Sequence, residues 1–293
     1  MKILVIYNPV SGSRWFDRAG KIKKYLADKQ IKYEWFETQA VPQQDFSFIK
    51  NNKYERVLVV GGDGTVREVA QFFIKEKITI PLAIIPAGSA NVLAFTLGVP
   101  LFPLVNCLDF ALTVESQPLD AISVNREHYA LICAGQGYDT SLMNNATRPL
   151  KKTYGFGAYI ISFVRTFFIY FNHRYTIVID GQRYETIGKI ALVLNGLSVL
   201  GLPLDKKISP SDGVLDVVVF NPRSFWDMLR AVMYSMWQGI ERTPRVQIFS
   251  GKEISVNQRK GKFIQVDGEV FHAKNLQLSV LPAAINIVYN KKF

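Results

Sequence analysis

The chain has 293 residues, enough for two domains of ordinary size, and its 48% apolar and 20% charged residues exclude a disordered or low-complexity protein. Lys and Arg number 35 against 24 acidic residues, and the net charge of +11 biases the surface toward anionic partners such as nucleotides, nucleic acid or anionic lipid headgroups. Cys107 and Cys133 sit among apolar residues at a spacing that suits no metal site, so both are expected as buried free thiols, and the scattered His128, His173 and His272 are given no ligand role.

The chain opens on KILVIYNP, a strand running into a turn without a signal-peptide pattern, and a cytoplasmic protein is expected. Lys2 to Tyr7 reads as a buried strand and Ala19 to Lys29 as a helix. Tyr33 to Thr38 suggests a second strand and Val57 to Val60 a third. A helix over Val66 to Lys75 and a strand over Leu82 to Ile85, ending at Pro86, follow. Strands spaced by helices imply a parallel sheet covered on both faces, and such sheets bind ligands at the carboxyl ends of their strands.

Three turns fall at those ends: Asn8 to Gly12 (NPVSG), Gly61 to Thr65 (GGDGT) and Pro86 to Asn91 (PAGSAN). All are rich in Gly, Ser, Thr and Asn, which offer N–H and hydroxyl donors to phosphate oxygens while permitting tight turns. In the second, Val57 to Ala70 reads strand, turn, helix. Gly61, Gly62 and Gly64 can take positive φ and let backbone N–H groups approach a bulky anion at the start of a helix. Asp63 in their midst would repel phosphates unless a divalent cation or a bound hydroxyl lay between, so the loop suits Mg-nucleotide better than bare phosphate. A ligand-free Gly-Asp-Gly turn is the plainer alternative, and the convergence of three such turns argues against it.

From about Asp120 short β-like runs recur: Ala121 to Val124, Tyr129 to Ala134, Thr176 to Asp180, Ile190 to Leu194, Leu215 to Phe220, Val246 to Ser250, Glu253 to Asn257, Phe263 to Val266 and Leu276 to Val280. Helical stretches over Thr153 to Phe171 and Arg223 to Gly239 interrupt them. Tyr154 to Phe171 reaches the minimum membrane-spanning length but carries Arg165, Gly155 and Gly157, and reads as an amphipathic or buried helix lining an apolar pocket.

Together NPVSG, GGDGTVREVA, PAGSANVLA, KKTYGFGAY, SDGVLDVVVF and VDGE resemble, over nearly the whole chain, the catalytic domain of the diacylglycerol and sphingosine lipid kinase family, in its small bacterial members. NAD kinases and phosphofructokinases share GGDGT but lack the PAGSAN and late DGE elements in this order. The resemblance implies an α/β N-terminal nucleotide-binding domain, NAD kinase/phosphofructokinase-like, over 1–119 plus 283–293. A C-terminal β-sandwich, the lipid-binding domain, would span 120–282, with the active site in the cleft between the two. By position it assigns ATP to Asn8, Pro9, Val10, Ser11, Gly12, Thr38, Gly61, Gly62, Asp63, Gly64, Thr65, Val66, Arg67, Glu68, Ser89 and Asn91. It assigns catalysis to Asp63, for metal and phosphates, and to Asp267 and Glu269, one of which takes the proton of the lipid hydroxyl. A plain hairpin turn is the alternative at 267–269. The resemblance also places a structural Mg²⁺ at Ser209, Asp212 and Val214, where SPSDG supplies few carboxylates. Asp120 falls at an acidic position near the active site, or is a solvated linker carboxylate, and Lys151 and Lys152 could meet phosphates or an anionic membrane.

One position departs from the pattern. Bacterial diacylglycerol kinases usually carry Asp after the Asn of the third loop, whereas Val92 stands here, as in the sphingosine and ceramide kinases, which leaves the acceptor lipid open. The expected function is an ATP- and Mg²⁺-dependent kinase of a lipid hydroxyl, cytoplasmic and peripherally bound to membrane. Apolar residues of Tyr154 to Phe171 and Phe225 to Trp237 would host acyl chains or touch the bilayer. The expected partners are a membrane lipid and the bilayer surface, without nucleic acid, and a homodimer is left open. The rival readings are a kinase of a soluble acceptor such as NAD and a nucleotide-binding sensor without transferase activity.

Overall fold

The computed structural model describes residues 2–12, 17–39, 44–51, 53–137, 172–196, 209–224, 226, 227, 230, 245–258 and 263–290. The helix expected over 153–171, Lys151, Lys152 and most of the helix expected over 223–239 lie outside them. By contact density the chain divides into Met1–Leu119 with Ala283–Lys292, and Asp120–Pro282.

The first unit is built on parallel strands β1 (Lys2–Tyr7), β2 (Lys32–Glu37), β3 (Arg56–Gly61) and β4 (Leu82–Pro86), in the order β2-β1-β3-β4. Leu4, Ile6, Val57 and Val59 point to one face and Ile3, Val5, Leu58 and Val60 to the other, and none is more than 1% exposed. Burial on both faces is why these strands read as unbroken apolar runs. Helices α1 (Arg18–Asp28) and α2 (Asp63–Lys75) connect them, followed by α3 (Val92–Thr96) and α4 (Leu104–Thr113). The second face packs on Ile22 and Leu26 of α1 and on Cys107, Leu108 and Ala111 of α4. Asp17 starts α1 by accepting the Gly20 N–H at 2.8 Å.

The second unit is a sandwich. After β5 (Ser116–Val124), which pairs with β6 (His128–Ala130), come β7 (Cys133–Gly137), β8 (His173–Ile179), β9 (Gln182–Gly188), β10 (Ile190–Leu194) and β11 (Leu215–Phe220). The strands β12 (Val246–Gly251), β13 (Glu253–Gln258), β14 (Phe263–Val266), β15 (Glu269–His272) and β16 (Asn275–Val288) complete the set. The start of β16, β13, β8 and β9 form one layer, and β12-β11-β10-β7-β14-β15 the other. Residues of both layers share one core, with Tyr175, Ile177 and Val256 from the first and Ala191, Val193, Val217 and Ile264 from the second. The α/β unit and the β-sandwich are the fold class expected from the sequence.

Several elements differ from expectation. The run 129–134 is two strands, because the N–H groups of Leu131 and Ile132 turn away from any ladder to a side-chain carboxylate. Strand β9 returns from β8 through Asp180-Gly181 at φ 47° and 86°, the geometry of a two-residue hairpin turn. Strand β16 continues to Val288, where Ile287 pairs in parallel with Leu82 of the first unit. Neither cysteine forms a disulfide, Cys107 being buried and Cys133 half-buried. Among the described residues no helix is long and apolar enough to cross a membrane.

Candidate functional site

In the first unit, β1, β3 and β4 are neighbours in parallel, so the segments leaving their carboxyl ends emerge side by side. The structure ties these loops to one another. Asn8, just past β1, donates from Nδ2 to Thr65 Oγ1 at 2.7 Å and accepts the Val10 N–H at 3.0 Å, which binds the first loop to the second and folds it into a turn. Gly12 has φ +80°, and a Cβ there would lie 2.6 Å from the Ala87 carbonyl oxygen of the third loop. The Ala87 N–H donates to Gly61 O at 2.9 Å. A Cβ on Gly88 would stand 2.5 Å from Gly62 Cα, so these two loops touch backbone to backbone.

This corrects the expectation for the glycines of the second loop. None of Gly61, Gly62 and Gly64 has positive φ: Gly61 ends β3, Gly62 caps α2 with φ −91° and ψ −177°, and Gly64 lies in the first turn of the helix. Two of them are small to allow close packing. A Cβ on Gly61 would meet Thr65, and one on Gly62 would meet Gly88 Cα at 3.1 Å. Only Gly64 faces open space, with nothing within 4 Å of an added Cβ. Gly88, which lacked a place among the expected site residues, is as much part of the junction as Gly62. The glycine of PAGSAN was its signal.

The Asp63 carboxylate opens α2 and reaches the third loop, accepting the Leu93 N–H at 3.2 Å. Burial pushes its carboxyl above the usual aspartate range, although the N–H groups of Leu93, Val92, Asn91 and Asp63 itself pull the other way. Asn91, in the left-handed region, exchanges hydrogen bonds with Gly88 at 2.8 and 2.9 Å and so closes the third loop. Val66 does not face the junction: it is 2% exposed in the core and its N–H is spent on Gly62 O. Thr65 is buried with its hydroxyl engaged by Asn8, whereas Val10 is 73% exposed and Ser89 exposed. Glu68 accepts the Gln44 N–H at 2.9 Å, Thr38 extends β2 by donating to Tyr7 O at 2.9 Å, and Pro9, Ser11 and Arg67 complete the surroundings.

Magnesium carried by a nucleotide keeps several waters and needs only one or two carboxylates beside the phosphates. A single half-buried carboxylate at a helix start, next to the open space at Gly64, fits that demand.

In the second unit Asp267 and Gly268 form the two-residue turn between β14 and β15, at φ 44° and 85°. The hairpin expected as the plainer alternative is therefore present, but its aspartate is far from idle. The Asp267 carboxylate accepts the N–H of Leu131 at 2.7 Å and those of Ile132 and Cys133 at 2.9 Å each, while its own N–H donates to Cys133 O at 2.9 Å. Gln265, 2% exposed, accepts the Gly268 N–H at 2.8 Å and donates to Cys133 Sγ at 3.2 Å. Glu269, two residues on, starts β15 with its side chain exposed.

Ser209, Asp212 and Val214 are brought together, though by hydrogen bonds. Asp212 accepts the Ser209 N–H at 3.3 Å and the Val214 N–H at 3.0 Å, one on each carboxylate oxygen. One carboxylate so engaged does not suit a resident hard cation, and no group of three His, Cys, Asp or Glu that could hold a metal occurs among the described residues. Asp120 is 2% exposed and accepts the Gly213 N–H at 2.7 Å, so it is a buried anchor of this loop and not a solvated linker residue.

Residues 2–124 match the family described as "Diacylglycerol kinase catalytic domain" and residues 133–289 match "YegS C-terminal NAD kinase beta sandwich-like domain". The chain belongs to the family defined by these two domains, the diacylglycerol kinase-like proteins. A protein of Staphylococcus epidermidis strain ATCC 12228 named "Putative lipid kinase" is 28% identical over 250 residues, 82% of this chain and 80% of its own. One of the same name from Staphylococcus aureus strain Mu3 is 28% identical over 254 residues, again 82% and 80% of the two chains. Among solved structures, "a putative diacylglycerol kinase" from Bacillus anthracis str. Sterne superposes with TM-score 0.78 at 25% identity, covering 99% of this chain and 97% of that one.

Proposed function

We propose that the chain is an ATP-dependent kinase that transfers the γ-phosphoryl group to a hydroxyl of diacylglycerol or a related membrane lipid. The observation that carries this reading is the junction of three strand-end loops, tied through Asn8–Thr65, Gly62–Gly88 and Asp63–Leu93, with the first turn of α2 open at Gly64. Such a junction offers backbone N–H groups and a helix start to phosphates. In the reaction the lipid hydroxyl oxygen bonds to the γ-phosphorus, the bond to the β,γ-bridging oxygen breaks, the hydroxyl proton passes to a carboxylate, and ADP departs. Magnesium, when bound with the nucleotide, offsets phosphate charge.

Glu269 is the residue we assign as proton acceptor, because it is exposed, whereas three backbone N–H groups occupy the Asp267 carboxylate. Asp63 holds the third loop and would meet the magnesium carried by the nucleotide, offsetting charge there. The positive charge draws the protein to anionic bilayers, where its substrate resides.

Transfer of labelled phosphate from ATP into vesicles containing diacylglycerol tests the reading. Glu269→Gln is expected to cut transfer about 10²- to 10⁴-fold with ATP binding kept, and Asp63→Ala to weaken ATP binding. Labelling of NAD without vesicles would overturn the lipid acceptor, and ATP binding with transfer to no acceptor would overturn the kinase.

A further inference from the structure

The residues that hold the acidic hairpin are themselves held from behind. Residues 131–133 give three N–H groups to Asp267, and the carbonyls of Leu131 and Ile132 face Asn195. Asn195 is fully buried. Its Nδ2 donates to Asp120 O at 2.6 Å and to Leu131 O at 3.2 Å, and its backbone N–H donates to Ile132 O at 3.0 Å. Residues 131 and 132 are thus gripped on both sides, by Asn195 at their carbonyls and by Asp267 at their N–H groups. One hydrogen of the side-chain amide makes the Leu131 contact while the other ties the same side chain to Asp120 O, and the Ile132 contact is made by the backbone. Asn195 Oδ1 is buried without a hydrogen-bond partner among the described residues, so the amide is retained for what it donates.

We propose that Asn195 is a positioning residue for phosphoryl transfer: by holding residues 131 and 132 from the carbonyl side it keeps their N–H groups aimed at Asp267, and so fixes where the hairpin presents Glu269. This rests on Glu269 being the proton acceptor. Asn195 touches neither nucleotide nor lipid in this scheme. It acts through one segment and one carboxylate, and a displacement of about 1 Å at a reacting group can cost two orders of magnitude in rate.

The test is a kinetic cycle on the full-length protein. Asn195→Ala is expected to lower kcat for lipid phosphorylation about 10- to 100-fold while KM for ATP stays within about twofold. Asn195→Asp keeps the shape and, protonated in its buried site, one donor, so its kcat is expected to recover toward wild type as pH falls. In a Glu269→Gln background Asn195→Ala should cost almost nothing further, since residues acting through one group are not additive. Full additivity in that background, or an unchanged kcat in a folded Asn195→Ala protein, would overturn the proposal. Should Asn195→Ala fail to fold, the pH response of Asn195→Asp decides alone: a flat profile refutes it. If Glu269→Gln itself leaves transfer intact, the assignment of the base is what fails.

Discussion

At the level of single residues, the second loop shows how one amino acid can be recognised for the right place and the wrong reason. Its glycines mark a strand-to-helix junction that the sequence displays openly, but positive φ is not what they supply. The sequence holds no record of Gly88 lying against Gly62, because that approach joins two loops far apart in the chain. The two kinds of glycine separate by substitution. Gly88→Ala places a Cβ 2.5 Å from a backbone carbon and should destabilise the protein by about 1–3 kcal/mol. Gly64→Ala meets nothing within 4 Å in a helical turn and should raise stability by up to about 1 kcal/mol, while lowering ATP affinity by filling the open space. Chemical denaturation and nucleotide titration of both variants read the contrast. Asp63 adds a pH signature. Burial raises its carboxyl above the unfolded value, so the folded chain binds this proton more tightly than the unfolded one. Its contribution to stability therefore falls as pH rises from the ordinary aspartate value through the raised one. Asp63→Asn, which still accepts the Leu93 N–H, should gain in Tm relative to wild type across that window and hold the gain above it. A Tm difference independent of pH would contradict this.

Among elements, the hairpins carry the lesson. Asp180-Gly181 and Asp267-Gly268 are the same turn dipeptide with the same backbone geometry, yet from sequence only the second draws notice, through its acidic neighbour. The first is followed by residues that alternate without strong apolar character, so β9 shows no run to read. Strand β6 and strand β7 merge in the sequence for the opposite reason, since 129–134 is apolar and β-prone throughout. What parts them is a carboxylate more than 130 positions away. Helix α4 is passed over because LVNCLDFALT lacks a capping side chain, its cap being Pro103. The docking of β14–β15 makes Asp267 a structural anchor. Asp267→Asn keeps the shape but replaces one acceptor with a donor facing the Leu131 N–H or its neighbours, and should cost about 2 kcal/mol in urea unfolding. Glu269→Gln, at an exposed position, should change stability by less than about 0.5 kcal/mol. Equal losses in the two would remove the distinction between anchor and proton acceptor.

For the whole molecule, the two-domain class is legible early, because strands alternating with helices give way to strands spaced by turns. The use made of the last strand is less legible, since a parallel pairing with a segment some two hundred residues earlier leaves no local mark. Strand β16 enters from the second unit, and its final residues belong to the first. There Ile285, Ile287, Val288 and Tyr289 are each at most 2% exposed, Asn286 Nδ2 donates to Thr79 O at 2.9 Å, and Tyr289 O accepts from Gln117 at 3.3 Å. Burying each such side chain contributes about 1.5–3 kcal/mol, and a domain's whole stability is about 5–15 kcal/mol. The α/β unit is therefore expected to unfold on residues 1–119 alone. A chain ended at Pro282 should lose amide protection in β1, β3 and β4 together with ATP binding, while β10 and β11 of the sandwich stay protected in hydrogen exchange. Retained protection in β1 and β3 would mean that the strand merely covers an edge. Loss in both units at once would mean that the sandwich, too, depends on the α/β unit being folded.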